Sequence, residues 1–331
     1  MPDIITHYLF GLDTSKNIKS SPLYKIIKGH RGLFFVGLQG PDPMYYHAPY
    51  KKNNFSHIAK MMHTEKTGDF LIASLSYTKK QIDTPELFEP CISYVSGLLC
   101  HYILDSMCHP YIFYIGGRYL KDDETTHKYL GLHKKIELAI DSLLLEEKFD
   151  MRAESFKIHK HILKQQAIPK VILDMYDETL FNVYAYNDGG SIFNSSYIDF
   201  RNYYKFTFDR LGVKKLLAHS ISPVLRTDFS NYATTFSYHR CVDEFSNYLN
   251  SSKEVWLHPV TGNVYTFSFK DLIHNSLKRS SSLLINAYDF TQSDLSYDEL
   301  IECIPQVSYL TGLSTDDPRP MHYFSDKFLY L

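Results

Sequence analysis

The chain has 331 residues, 44% of them hydrophobic and 22% charged, with 35 Lys and Arg against 37 Asp and Glu. That length suits one large domain or two smaller ones, and the composition excludes a disordered or fibrous chain. A formal net charge of −2 leaves no global field to gather a long nucleic acid or an anionic membrane.

Cys91, Cys100, Cys108, Cys241 and Cys303 form no CxxC pair, an odd set that fits core thiols in a reducing compartment. The 27 Tyr and 22 Phe suit either an aromatic core or an apolar, lipid-binding cleft. The start, Met1 to His7, has neither the basic nor the apolar part of a secretory signal. No stretch approaches the roughly 18 consecutive apolar residues of a membrane span, so the expectation is a cytoplasmic chain.

In chain order, Leu33-Phe-Phe-Val36 reads as a short strand or buried loop. Gly37-Leu-Gln-Gly-Pro-Asp42-Pro43 follows as a rigid turn, its prolines fixing φ on either side of Asp42. Periodicity then predicts helices near 55–65, 68–78, 86–109, 125–147, 153–165, 168–186, 198–218, 227–250, 268–289 and 297–311. Strand signals are confined to a hairpin-like Trp256–Tyr265 around a Thr-Gly-Asn turn. The expected class is all-α. Asn187–Ser196, rich in Asn, Gly and Ser, reads as a loop dividing residues 1–186 from a mostly helical region, 187–331, that packs on them or stands apart.

Two of the predicted helices carry unusual polar runs. His101, Asp105 and His109 recur at i, i+4 and i+8, just after the largely apolar Ile92–Cys100. His133, Glu137 and Asp141 repeat the spacing. Residues four apart share one helix face, so each run aims imidazole and carboxylate in one direction. A lone His/Glu pair at this spacing is ordinary surface chemistry. Three ionisable groups on a buried helix are costly without a partner, and zinc suits both ligand types. Pro110 is expected to end or kink the first helix beside His109. Asp141 is expected to orient His133 or pair with a neighbour.

Together with Thr6-His7-Tyr-Leu-Phe-Gly11 and Gly40-Pro-Asp42-Pro43, these runs resemble the signature of the bacterial zinc-dependent phospholipase C family, distantly related to single-strand-specific zinc nucleases. The resemblance covers roughly the first 140 residues. It implies an all-α fold with two or three zinc ions in a cleft. Carried over, one ion takes Asp42, His63, His101 and Asp105, a second His109, His133 and Glu137, and a third His7 with a bridging Asp105. His57 competes with His63 for its role, and His63 is preferred from its context. The secreted enzymes use an N-terminal amine that this chain does not match in spacing; Asp3, four before His7, is a candidate replacement on a helix.

The implied activity is hydrolysis of a phosphodiester by a zinc-activated hydroxide, with Asp42 ligating and orienting the water or acting as base. The substrate is then a phospholipid or its soluble head-group ester, with Tyr45, Tyr46 and Phe55 as candidate walls. Two alternatives stay open: a nuclease or nucleotidase, against which the lack of basic charge counts, and a non-catalytic helical binding protein stabilised by zinc.

Overall fold

A computed structural model describes residues 3–47, 54–221, 238 and 246–329, and the architecture is all-α. The helices are α1 (Ile4–Asn17), α2 (Pro22–Gly29), α3 (Arg31–Gly37), α4 (Ser56–Thr64), α5 (Thr67–Lys79), α6 (Pro85–Gly116), α7 (Leu132–Phe149), α8 (Ile158–His161), α9 (Lys170–Tyr184), α10 (Gly189–Phe206) and α11 (Val213–Ile221), then α12 (Phe269–Thr291) and α13 (Tyr297–Cys303). A small antiparallel hairpin pairs Trp256–Leu257 with Val264–Tyr265. The predicted helix 227–250 lies outside the described residues except for 238 and 246–250, which are irregular.

The apolar run that opens the predicted helix 86–109 becomes the axis of the molecule. α6 spans 32 residues and is long and apolar enough to cross a membrane by length and composition, but 83% of its most apolar window is buried inside the protein. α1, α2, α3, α5, α7, α9 and α12 all pack against it. It also runs on through Pro110 to Gly116, where the sequence predicted a break beside His109. Burial of Tyr111, Ile112 and Ile115 offsets the lost hydrogen bond. The Ser106 carbonyl, which Pro110 leaves without its helical donor, faces a C-terminal turn at Gly312 (φ +65°), where a Cβ would lie 2.4 Å from that oxygen.

Other boundaries moved for identifiable reasons. Leu33–Val36 is helical, inside α3: a short all-apolar run carries no period of its own. The expected loop 187–196 is mostly helix, because the Asp177 carboxylate of α9 accepts a 2.8 Å hydrogen bond from Gly190 N–H and caps α10 from a distance. The expected helix 198–218 is split after Phe206, where the Thr207 hydroxyl turns back onto the Tyr203 carbonyl. Helix 153–165 shrinks to α8, and 297–311 stops at Cys303, two residues before Pro305.

The region after 186 is seated on the helices before it. α10 packs on α9 and on the turn Asp42–Tyr46, and α12 lies on α6 and α1. Residues 305–309 run along α4, α5 and α6. Tyr102 Oη donates to the Pro305 carbonyl (2.7 Å), Thr67 Oγ1 to the Val307 carbonyl (2.8 Å), and Tyr309 N–H to the His63 carbonyl (2.9 Å).

Candidate metal centre

Five elements converge on one largely buried volume. α6 contributes His101, Asp105 and His109, all with no exposed surface. α1 contributes His7, also fully buried. Its N-terminus is anchored by Asp141 of α7, which accepts from Ile5 N–H (2.9 Å), Thr6 N–H (2.8 Å), Thr6 Oγ1 (2.6 Å) and Tyr238 Oη (2.7 Å). Asp141 therefore caps α1 and places His7, rather than orienting His133. Burial, and then the charge of Asp3, push its carboxyl upward to about 7.

The turn after α3 brings in Asp42. Gly40 adopts φ +52° and lies against the His101 ring, where a Cβ would sit 2.3 Å from Cδ2. Asp42 opens the 3-10 turn Asp42–Tyr46 between Pro41 and Pro43 and is only 6% exposed. α4 supplies His63, whose Nε2 comes 3.2 Å from Asp42 Oδ1. His57 instead sits exposed at the start of α4, its Nδ1 3.1 Å from the Asn54 carbonyl. α7 supplies His133 and Glu137, with Nε2 and Oε1 2.9 Å apart.

The donor atoms fall into three groups, each with its atoms within 4.8 Å of one another: His7, His101 and Asp105; Asp42, His63 and His101; and His109, His133 and Glu137. Asp105 stands between the first two, with Oδ1 3.1 Å from His7 Nε2 and Oδ2 3.1 Å from His101 Nε2. Oδ2 also lies 3.9 Å from His63 Nε2, so one oxygen faces His7 and the other faces His101 and His63, as a bridging carboxylate requires.

Backbone carbonyls fix three imidazoles. His63 Nδ1 meets the Ala59 carbonyl at 2.6 Å, His101 Nδ1 that of Leu38 at 3.1 Å, and His109 Nδ1 that of Tyr309 at 2.8 Å. With Nδ1–H donating there, each Nε2 presents a lone pair to the interior, the arrangement of metal-binding histidines. Among the described residues, His7 Nε2, His101 Nε2, His109 Nε2, Asp42 Oδ1 and both Asp105 oxygens are buried with no aligned hydrogen bond, although they crowd one another. Lone pairs facing lone pairs are satisfied by a cation between them, at spacings close to the roughly 3.3 Å edge of a tetrahedral zinc polyhedron. The donor set fits zinc.

Electrostatics divides the centre. Burial alone would raise Asp105, but His101 and His109 hold it well below the usual carboxylate range. Burial would likewise lower His101, but Asp105 and Asp42 outweigh it and raise its proton affinity. His7 is lowered by burial and by His101, and burial also depresses His109 and His133.

An open cleft of about 590 Å3 lies over the third group. His63, His109, His133 and Glu137 line it, Tyr45, Tyr46, Phe113, Tyr119, Tyr129 and Tyr203 supply aromatic surface, and Arg118 and Lys134 supply positive charge. Lys134 is paired with Asp3 at 2.8 Å. Asp3 also accepts from Tyr204 Oη (3.1 Å) and joins none of the three groups, so it does not stand in for the amine of the secreted enzymes. Phe55 stacks on His47 and is not part of the cleft; His47 pairs with Asp199 (3.0 Å), and His127 meets the Lys121 carbonyl (3.1 Å) and packs on the rim residue Tyr119. Tyr309, with its carbonyl on His109 and its ring 5.2 Å from that of His63, had no signal in the sequence, since it lies outside the two helix runs and acts through its backbone.

Compared with known proteins, no curated protein and no solved structure matches this chain. Residues 6–186, more than half of the chain, match the family model described as zinc dependent phospholipase C, and all eight converging donors lie within the match.

Proposed function

From a chain that belongs to the zinc-dependent phospholipase C family, a hydrolase family, we propose a zinc-dependent phosphoric diester hydrolase acting in the cleft above His109, His133 and Glu137. We further read residues 187–331 as an extension seated on a zinc-binding unit, 1–186. The observation that carries the proposal is the convergence of imidazole and carboxylate donors beside a wide aromatic cleft, with buried atoms of His7, Asp42, His101, Asp105 and His109 lacking aligned hydrogen bonds.

Asp42, His63, His101, Asp105 and His7 would hold one or two ions, and His109, His133 and Glu137 another. Bound zinc supplies Lewis-acid polarisation of phosphoryl oxygens and lowers the pKa of bound water. In this reading Asp42, held between two prolines beside the cleft residue His63, would orient a water and accept its proton. Arg118, which has no carboxylate within ion-pair distance among the described residues, places a positive charge where a phosphate enters the cleft. The tyrosines give an apolar bed for a phospholipid's glyceride portion or for the organic arm of a soluble head-group ester. The open cleft over the third group, which offers three protein donors, favours catalysis over a purely structural metal site, since structural zinc is closed by four.

The test is a panel of phosphodiesters, containing soluble head-group esters, phospholipid in mixed micelles and single-stranded DNA, assayed before and after chelation. Turnover of a phospholipid-type ester that is lost with chelator and restored by zinc is the expected result. Turnover confined to nucleic acid would move the chain to the nuclease reading, and zinc binding with no turnover would move it to the structural one.

A further inference from the structure

Beyond the cleft wall formed by Tyr203, α10 ends at Phe206 and the chain turns into α11. Leu211, Val213, Leu216 and Leu217 are 74%, 53%, 68% and 55% exposed. Single exposed apolar residues are common, but four large aliphatics within one short segment are not. Val213, Leu216 and Leu217 stand at i, i+3 and i+4, one face of α11.

The sequence around this tip is basic. Residues 199–217 contain five basic residues, Arg201, Lys205, Arg210, Lys214 and Lys215, against two acids, Asp199 and Asp209. Asp199 is already paired with His47. The neighbouring α8, packed on α10, adds Lys157 and Lys160. Lys214 Nζ donates to the carbonyls of Phe206 (2.6 Å) and Phe208 (3.1 Å), which ties α11 back onto the end of α10.

We propose that residues 211–217, with the basic residues around them, form a tip that docks on the surface of an anionic lipid bilayer. Aliphatic side chains enter the boundary between headgroups and acyl chains while lysine and arginine meet anionic headgroups, and such binding scales with both contributions. The charge selects this occupant. A second copy docking tip to tip would bring like charges together, whereas an anionic lipid surface complements the apolar and the basic residues at once. The net charge of −2 does not oppose this, because screening confines the interaction to charges within about 8–10 Å of the surface. Because Tyr203 lines the cleft one helical turn before α10 ends, docking would hold the cleft beside the headgroups; that consequence alone rests on the hydrolase reading.

The full chain is mixed with phosphatidylcholine vesicles, and with vesicles in which about a third of the lipid is phosphatidylserine, and bound protein is measured by flotation at low and high salt. Binding to the anionic vesicles, weakened by salt, is expected. A variant combining Leu211→Ser, Val213→Ser, Leu216→Ser and Leu217→Ser is expected to lose about tenfold or more of it. Leu211→Ser alone, a milder change at the most exposed position, should lose part. Circular dichroism and zinc content, which a tip role leaves unchanged, serve as the check on folding. Lys205→Gln with Arg210→Gln should remove mainly the salt-sensitive component. Equal binding of wild-type and quadruple variant, or no binding to either vesicle, overturns the proposal, as does a dimer that the quadruple variant abolishes. Vesicle binding without any phosphodiester turnover would sink the hydrolase reading and leave the docking tip standing.

Discussion

The centre has two halves that place similar ligands in different surroundings. His7, Asp42, His63, His101 and Asp105 are at most 6% exposed and are packed among α1, α4, α6 and the turn after α3. His109, His133 and Glu137 border the cleft, and the His133 side chain is 26% exposed. In the deep half the carboxylate between imidazoles is as much a folding element as a ligand, because nothing but those imidazoles or a cation offsets its burial. In the outer half, His133 reaches solvent and the cleft borders His109 and Glu137, so an ion there is expected to exchange more readily and to present open positions. A common ligand chemistry thus carries stability on one side and access on the other.

Asp105→Ala should break the comparison most severely. It leaves several imidazoles and any cation without their central charge, and a loss of about 3–5 kcal/mol is expected, the scale for removing one member of a buried charged pair. Thermal melts and metal analysis should show the deep half emptied; near-normal zinc would remove Asp105 from that role. Asp42→Asn keeps the size and one carbonyl oxygen but cannot take a proton. Turnover of a cleaved phosphodiester should fall by about 10²-fold or more while helicity and most zinc survive. Unchanged turnover with full zinc would make Asp42 a turn residue only.

Glu137→Ala sharpens the division, since it should release the outer ion and leave the ions around His101 and Asp105 largely in place. Loss of all metal from this single variant would show one cooperative centre instead of two halves.

The smallest expected effect is on pH dependence. In metal-free protein His7, His109 and His133 bind protons less tightly than the ordinary 6.5, so the unfolded chain takes up more of them as pH falls below that value and stability drops. His101 binds its proton more tightly than 6.5, so stability drops again as pH rises through its raised value. A stability maximum near pH 6.5 is expected from the histidines. Zinc requires all of them neutral, so the part of the alkaline decline due to His101 should be lost when metal is bound, leaving only that of Asp141, whose raised carboxyl is not a ligand. Denaturant midpoints across pH, with and without zinc, check this; an alkaline decline of equal size in both forms would contradict it.

What the sequence made legible follows from the range of each interaction. The His101–Asp105–His109 and His133–Glu137 faces were readable because helical periodicity is local, and α12 and α13 begin at local capping boxes, Ser268 with Asp271 and Ser296 with Glu299. α1 was missed and the first half of α10 misread as a loop because their caps come from other helices, Asp141 of α7 and Asp177 of α9, at separations no local pattern reports. His7, Asp42 and His63 entered through family resemblance, not spacing. The carbonyls of Leu38, Ala59 and Tyr309, which orient three of the histidines, leave no trace in side-chain identity at all.

Metal analysis of the purified chain tests the central claim most directly. Protein prepared with zinc present should carry at least two zinc ions per chain, and chelation should lower its melting temperature, because metal bound only by the native state stabilises it. Fewer than one zinc per chain under those conditions, with a melting temperature indifferent to chelator, would contradict it.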